Sequence, residues 1–391
     1  MRVGFLIDRW QPKRGGAERQ LELFARHLEE RGHEVRAFGA RGPRAGEASA
    51  GTFERVRAGG LGRGARERAL ARALVAAARA ASCDVTLGVR HLPEVDLLWC
   101  HGGAHLVTLR ARWRARHAGW PAPDPFPVRG RHRTFLAFER QLLAGGARAV
   151  ACPSELVRAE LAATYPGCEP RLALEPNGVD LERFHPARRA ASRAHLRGRL
   201  GLAERAALVV LAARDPLLKG LAQLFDALRL LAGEPWHLLV AGARRPAVWR
   251  RRAARAGLGA RISFAHDVDA ATLAAGADLC ALPTWRDTSG LVLLEALAAG
   301  TPVVTTRLAG DSPRVRPEAG AVVADPADPG LAPALGEWIG RALGGGADPE
   351  AARACVADRG LARAHASLER LLARCAEDRP GNVPMGSRAT R

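Results

Sequence analysis

Between Leu282 and Gly310 the sequence LPTWRDTSGLVLLEALAAGTPVVTTRLAG places two carboxylates, Asp287 and Glu295, where they can act on one ligand. Glu295 is the only polar side chain in LVLLEALAA, a stretch that reads as a helix from about Gly290 to Ala299 followed by the buried strand TPVVTT. Burying an ionised carboxylate unpaired on such a helix costs on the order of several kcal/mol. Glu295 is therefore either a structural glutamate held by protein partners or a group that grips ligand hydroxyls at the carboxyl end of a parallel sheet. Asp287 brings a second acid to the same cleft beside Ser289 and Gly290, and the amides from Thr288 to Leu291 open a helix N-terminus, a ready anion site. Farther back, Arg214 follows a buried strand, Leu208 to Ala212, and Lys219 with Gly220 opens a helix. Lys13 and Lys219 are the only lysines, so Lys219 sets a compact point charge in an arginine-dominated chain. Near the start, Gly15 and Gly16 lie between a strand and a helix, where glycine lets backbone amides approach a diphosphate and the helix dipole favours its charge.

The elements that must position these groups alternate as strand and helix. Arg2 to Asp8 is apolar from Val3 to Ile7, as a buried parallel strand should be. Leu21, Phe24, Ala25 and Leu28 then share one helical face, Gly32 ends that helix, and Glu34 to Phe38 begins the next strand. Gly62-Arg63-Gly64, with arginine- and alanine-rich flanks, reads as a loop. Short strands at Asp84 to Val89 and Val95 to Trp99 lead into CHGGAH, which sets His101 at a strand's C-terminal end, either as a ligand contact or as a satisfied structural histidine. From Phe135 the chain reads as helix, strand and helix with Ser154 as N-cap, and Glu175 to Pro186 is a connector punctuated by glycine and proline. The second half repeats the alternation through WHLLVAGA, Ala321 to Val323 and Pro333 to Leu343, and ends on an amphipathic region, Ala351 to Ala376. Asp267-Val268-Asp269 resembles a metal-binding DxD but reads better as a loop with an N-cap at Asp269.

A chain of 391 residues suits two domains. Seven cysteines without a CxxC or a His/Cys cluster argue for a reducing cytoplasm and against a disulfide framework or zinc site. No signal peptide and no apolar run of about 20 residues is visible. Of 59 basic residues 57 are arginine, which marks part of the +19 charge as compositional. The charge is uneven, with 35 basic and 20 acidic residues through Leu200 against 24 and 20 beyond it. The first half should therefore attract a polyanion or an anionic membrane. Residues 101 to 150 hold nine arginines against two acids, Arg110, Arg112 and Arg114 among them, interleaved with Trp113, Trp120 and Phe126. That mixture is either a headgroup-binding surface or an ordinary basic face, and no nucleic-acid-binding signature accompanies it.

The spacing of Asp287 and Glu295, followed by ALAAGTPVVTT, resembles the C-terminal signature of retaining glycosyltransferases of family 4, and GGAERQLELFARHLEERGHEV and EPNGVDLERFHP resemble other segments of that family. The resemblance runs to about residue 377. It implies an α/β GT-B fold, two Rossmann-like doubly wound domains facing across a cleft: 1–178 for the acceptor, completed by a C-terminal helix at about 351–377, and 179–350 for a nucleotide sugar, with a disordered tail at 378–391. It implies donor contacts from Gly15, Gly16, Arg214, Lys219, Asp287, Ser289, Gly290, Leu291 and Glu295, with Glu295 on the ribose hydroxyls. Asp287, Arg214 and Lys219 would carry catalysis, the two cations neutralising the departing diphosphate so that no metal or further cofactor is needed. Asp287 stands where the family normally has glutamate, one methylene longer. His101, Arg110, Arg112 and Arg114 would face the acceptor. Within the family the chain looks most like bacterial lipopolysaccharide core glucosyltransferases, which implies UDP-glucose, an anionic glycolipid or glycan acceptor, and a place on the inner face of the cytoplasmic membrane. A nucleotide-sugar epimerase or phosphorylase, or a non-catalytic polyanion-binding protein, are the alternatives; Lys13 and Lys219 are poor candidates for a phosphorylase's pyridoxal lysine.

Overall fold

The computed structural model describes residues 1–11, 15–43 and 49–378. Lys13 and the tail beyond Asp378 lie outside them, so the expectation of a disordered tail falls there.

The first sheet is parallel throughout. Its strands are β1 (Arg2–Arg9), β2 (Glu34–Arg41), β3 (Thr52–Arg55), β4 (Val85–Gly88), β5 (Val95–Trp99), β6 (Ala147–Cys152) and β7 (Leu172–Leu174), in the order 3-2-1-4-5-6-7. The second holds β8 (Ala207–Ala212), β9 (Trp236–Ala241), β10 (Ile262–Ala265), β11 (Leu279–Leu282), β12 (Val303–Thr306) and β13 (Gly320–Val323), in the order 10-9-8-11-12-13. Each order reverses once, between β1 and β4 and between β8 and β11, and open sheets of this kind hold ligands beyond the strand ends at such reversals. These are the two doubly wound α/β domains of the GT-B architecture.

Helices cover both faces, as continuously apolar strands demand. In the first domain α1 (Gly16–Glu30), α2 (Arg63–Ala80), α3 (His105–Arg116), α4 (Arg131–Gln141) and α5 (Glu155–Thr164) follow in order. The second has α6 (Arg189–Leu200), α7 (Leu221–Leu230), α8 (Pro246–Arg255), α9 (Ala270–Gly276), α10 (Leu291–Ala298), α11 (Leu331–Leu343) and α12 (Pro349–Ala354). A last helix, α13 (Leu361–Glu377), returns to the first domain, where Leu368, Leu371 and Leu372 enter the core around Phe5 and Phe24. Val179 and Gly360 pair in a parallel bridge, so the two interdomain crossings run side by side.

Two readings are corrected. Of Gly62-Arg63-Gly64 only Gly62 lies in a loop, the bend before α2, an 18-residue helix that holds Arg63 and Gly64. Its sequence is mostly arginine and alanine, both strong helix formers, while only Ala71, Leu74 and Ala78 are buried, so the apolar stripe is faint. The amphipathic C-terminal region is two helices, broken between Cys355 and Gly360 where the chain changes domain.

Candidate active site

Because β8 and β11 are neighbours, the loops that follow them meet. The β8 loop carries Arg214 and Lys219; the β11 loop runs from Pro283 to Gly290. Lys219 Nζ lies 2.5 Å from Asp287 Oδ2 and 3.4 Å from the Arg286 carbonyl, and about a fifth of each ionic side chain is exposed. Gly220, at φ +74°, precedes α7, and a Cβ there would strike the Pro283 carbonyl, so glycine is what lets the two loops close on each other. Asp287 is strapped to the loop after β12: its amide donates to the Leu308 carbonyl and its carbonyl accepts from Gly310, both at 2.9 Å. Its Oδ1 accepts from the amides of Ser289 at 3.4 Å and Gly290 at 3.1 Å. Asp287 thus fills part of the anion seat at the start of α10 that the sequence reading gave to ligand phosphates.

Ser289 differs from its expected use. Its hydroxyl donates to Asp311 Oδ2 at 2.6 Å, and Asp311 also receives Arg359 at 2.7 Å. Asp311 is buried, which pushes its carboxyl up, with Arg359 opposing. The Ser289 side chain is spent on this buried network.

Glu295 lies just over one turn into α10, on a cavity of about 20 Å³ at the domain seam that Gly16, Arg19, Gln20, Gly178, Leu291 and Phe184 help line. Among the described residues it accepts no hydrogen bond. Burial lifts its carboxyl from 4.5 to about 7, Arg19 and Arg183 pull it back, and Asp269 raises it further. Asp269 itself caps α9 through the amides of Ala271 and Thr272 and takes Arg183 at 2.5 Å, while Asp267 pairs with Arg199 at 2.6 Å.

The first domain meets this site through its glycines. A Cβ on Gly15 would sit 3.5 Å from an Arg214 guanidinium nitrogen, and one on Gly16 would sit 2.9 Å from Leu291 Cδ1. Gly15, Gly16, Arg214, Leu291 and Glu295 are therefore brought together across the cleft, with Lys219, Asp287 and Gly290 beside them. Further bonds close the seam: Ser154 caps α5 and also donates to the Thr288 carbonyl at 2.6 Å, and Thr288 Oγ1 donates to the His101 carbonyl at 2.7 Å.

The acceptor-side expectations fare unevenly. His101 lines a cavity of about 570 Å³ at the strand ends of the first sheet. Burial drives its imidazole down to about 4, so the ring is neutral, and its Nε2 is buried without a partner among the described residues. Arg110, Arg112 and Arg114 do not line that cavity. Arg110 pairs with Asp124 at 2.6 Å, Arg112 is exposed, and Arg114 bridges the domains to Asp325 at 3.1 Å while lying 5.0 Å from the Trp285 ring centre. The cavity is lined instead by Arg9, Arg41, Arg66, Arg90 and Arg131. Arg90 is buried and pairs with Asp8 and Glu67, two of the three acids present, the third being Glu18. Arg9 and Arg41 end buried strands, a placement that marks a ligand-facing position, but among 57 arginines it did not stand out.

Comparison with known proteins identifies the domains that hold this arrangement. Residues 14–183 match the family described as Glycosyltransferase Family 4, and residues 206–339 match Glycosyl transferases group 1. The chain carries glycosyltransferase domains in both halves. Over 219 residues it is 33% identical to a D-inositol 3-phosphate glycosyltransferase of Nocardia farcinica, an alignment covering 52% of this chain and 47% of that one. A similar protein of Geodermatophilus obscurus is 31% identical over 254 residues, 56% of this chain and 55% of that one. The chain thus spans about half the length of the curated relatives it matches. Among solved structures, WaaG, a glycosyltransferase involved in lipopolysaccharide biosynthesis, superposes with a TM-score of 0.80 at 21% identity, covering 95% of this chain and 99% of that one. Anabaena HepE in complex with UDP-glucose gives a TM-score of 0.70 at 19% identity, covering 96% and 100%. Both likenesses show the GT-B fold.

Proposed function

We propose that this protein is a retaining glycosyltransferase that moves a hexose, glucose from UDP-glucose, onto an anionic cell-envelope glycan or glycolipid such as lipopolysaccharide core. One observation carries the reading: the single polar side chain of α10, Glu295, faces the interdomain cavity and no described residue hydrogen-bonds to it. A ribose offers the two hydroxyls such a carboxylate lacks. Arg214 and Lys219 would take the charge of the departing diphosphate, the role a metal plays elsewhere, and Asp287 would hold the donor sugar. With UDP bound, Lys219 exchanges Asp287 for phosphate oxygens. The UDP-glucose complex of HepE and the role of WaaG in lipopolysaccharide biosynthesis support the choice of donor and acceptor class.

The arginine-rich cavity beside His101 is the acceptor's place in this reading, and its net positive charge, five arginines against three acids, favours a phosphorylated or carboxylated acceptor. Exposed Arg112, Arg116, Arg129, Arg133 and Trp120, the last 72% exposed, form a face suited to an anionic membrane. Among the described residues no helix is long and apolar enough to cross a membrane; in this reading the protein attaches peripherally, on the cytoplasmic side.

The test is a panel of UDP-, GDP- and ADP-sugars with phosphorylated glycan acceptors, with and without a chelator, read as nucleoside diphosphate release and as the anomeric configuration of the product by NMR. Acceptor-dependent release from UDP-glucose, retention of configuration and insensitivity to chelation are expected. UDP-sugar turnover without acceptor would point to an epimerase.

A further inference from the structure

The residue before Asp287 reaches out of its own domain. Arg286 has a side chain 5% exposed, pairs with Glu160 on α5 of the first domain, and donates through Nη1 to the Gly102 carbonyl at 3.2 Å. Its main chain stays with the second domain, where its carbonyl faces Lys219 Nζ at 3.4 Å. One residue thus touches the phosphate-side lysine through its backbone and the His101 loop through its guanidinium. The receiving loop is shaped for it: Gly103 has φ +59°, and a Cβ there would collide with the guanidinium. The second glycine of CHGGAH is the bed on which Arg286 lies.

The pair is buried on both sides. Burial pushes the Glu160 carboxyl up, and Arg286 holds it down. In such pairs the desolvation penalty largely cancels the attraction, whereas deleting one partner strands a buried charge. A contact of this kind forms and breaks at little net cost, which suits one made on domain closure and released on opening.

We infer that Arg286 is a positioning residue, and that with Glu160 it forms an interdomain latch registering the donor loop against the acceptor loop. The inference rests on the transferase reading above. With the latch closed, Asp287 and the His101 loop share one rigid frame. Without it, each domain keeps its own binding atoms, so donor affinity survives while few bound complexes have reacting groups aligned.

The variants are Glu160→Gln, Arg286→Lys and Gly103→Ala, in the full chain, each measured with UDP-glucose and acceptor. Donor Kd is expected to stay within about twofold, kcat to fall about 10- to 100-fold, and hydrolysis of donor to rise relative to transfer, because misalignment by about 1 Å costs a factor of this size. Combining Glu160→Gln with Arg286→Gln should lose little beyond either single change. Small-angle X-ray scattering reads the latch without turnover, and Gly103→Ala should enlarge the radius of gyration of the UDP-bound protein. Wild-type protein that is inert on every donor while Gly103→Ala still opens the molecule would sink the transferase reading and leave the latch standing. An unchanged kcat and radius of gyration in Glu160→Gln and Gly103→Ala, with wild type active, would overturn the latch; so would a lowered Tm with kcat intact, the mark of a merely structural pair.

Discussion

Replacing Glu295 by glutamine should make the protein more stable while removing its grip on the donor. In the native state burial lifts the Glu295 carboxyl from 4.5 to about 7. Between those values the folded chain keeps a proton that the unfolded chain has released, so stability falls as pH rises through this window. At about 1.36 kcal/mol for each pH unit, the whole displacement costs wild type about 3 kcal/mol at pH 8 and nothing below about pH 4.5, where both states are protonated. Glutamine carries no such penalty and keeps the shape. For a domain of this size the gain reads as a Tm higher by roughly 6–12 °C at pH 8, shrinking toward zero at pH 5. Scanning fluorimetry at both pH values, with and without UDP-glucose, measures the two halves of the claim together. A variant no more stable than wild type at pH 8, or one still stabilised by UDP-glucose as wild type is, would refute the reasoning. The trade is the one expected of a site where function is held at the expense of stability.

Other consequences are open to direct measurement. Lys219→Ala should lower kcat about 100- to 1,000-fold with the circular dichroism spectrum unchanged, since Asp287 still braces the loop before α10 through the amides of Ser289 and Gly290; near-normal turnover would remove Lys219 from the mechanism. Arg90→Met removes a buried cation whose partners, Asp8 and Glu67, stay partly in water, so it should cost only about 1 kcal/mol in urea unfolding, and a loss above about 3 kcal/mol would contradict that solvation of the two acids. Sedimentation with vesicles should show binding to anionic but not neutral lipid, weakened by Trp120→Ala and abolished by about 0.5 M salt, where the Debye length falls to a few ångströms; equal binding to neutral vesicles would rule out the charged face.

The cleft between the β8 and β11 loops was legible because its groups are local in sequence. Asp287, Gly290, Leu291 and Glu295 share one loop and helix, and Arg214 and Lys219 share another, so strand ends and helix starts locate them before any fold is known. What stayed hidden depends on distance or on composition. Arg286 and Glu160 are 126 positions apart, and nothing in either neighbourhood names the other. The arginines of the large cavity come from β1, β2, α2, α4 and the end of β4, and in an arginine-rich chain each looks like solvated surface. Helix α2 escaped because its partners need only three small apolar contacts from it, and β3 because most of its four residues are exposed. Ser289 shows the opposite failure: its position in the motif was read correctly, but the direction of its hydroxyl is fixed by Asp311, 22 residues on.

The return of α13 has a consequence for the order of synthesis. Leu368, Leu371 and Leu372 plug the face built by Phe5 and Phe24, so an earlier-made stretch of the polypeptide is sealed by one made much later. At typical translation rates of about 5–20 residues per second, the nascent amino-terminal half waits roughly 10 to 40 seconds with a greasy flank uncovered. Chaperones have that interval in which to engage it, and a stop codon soon after Gly360 would injure the first domain although its own strands were already translated.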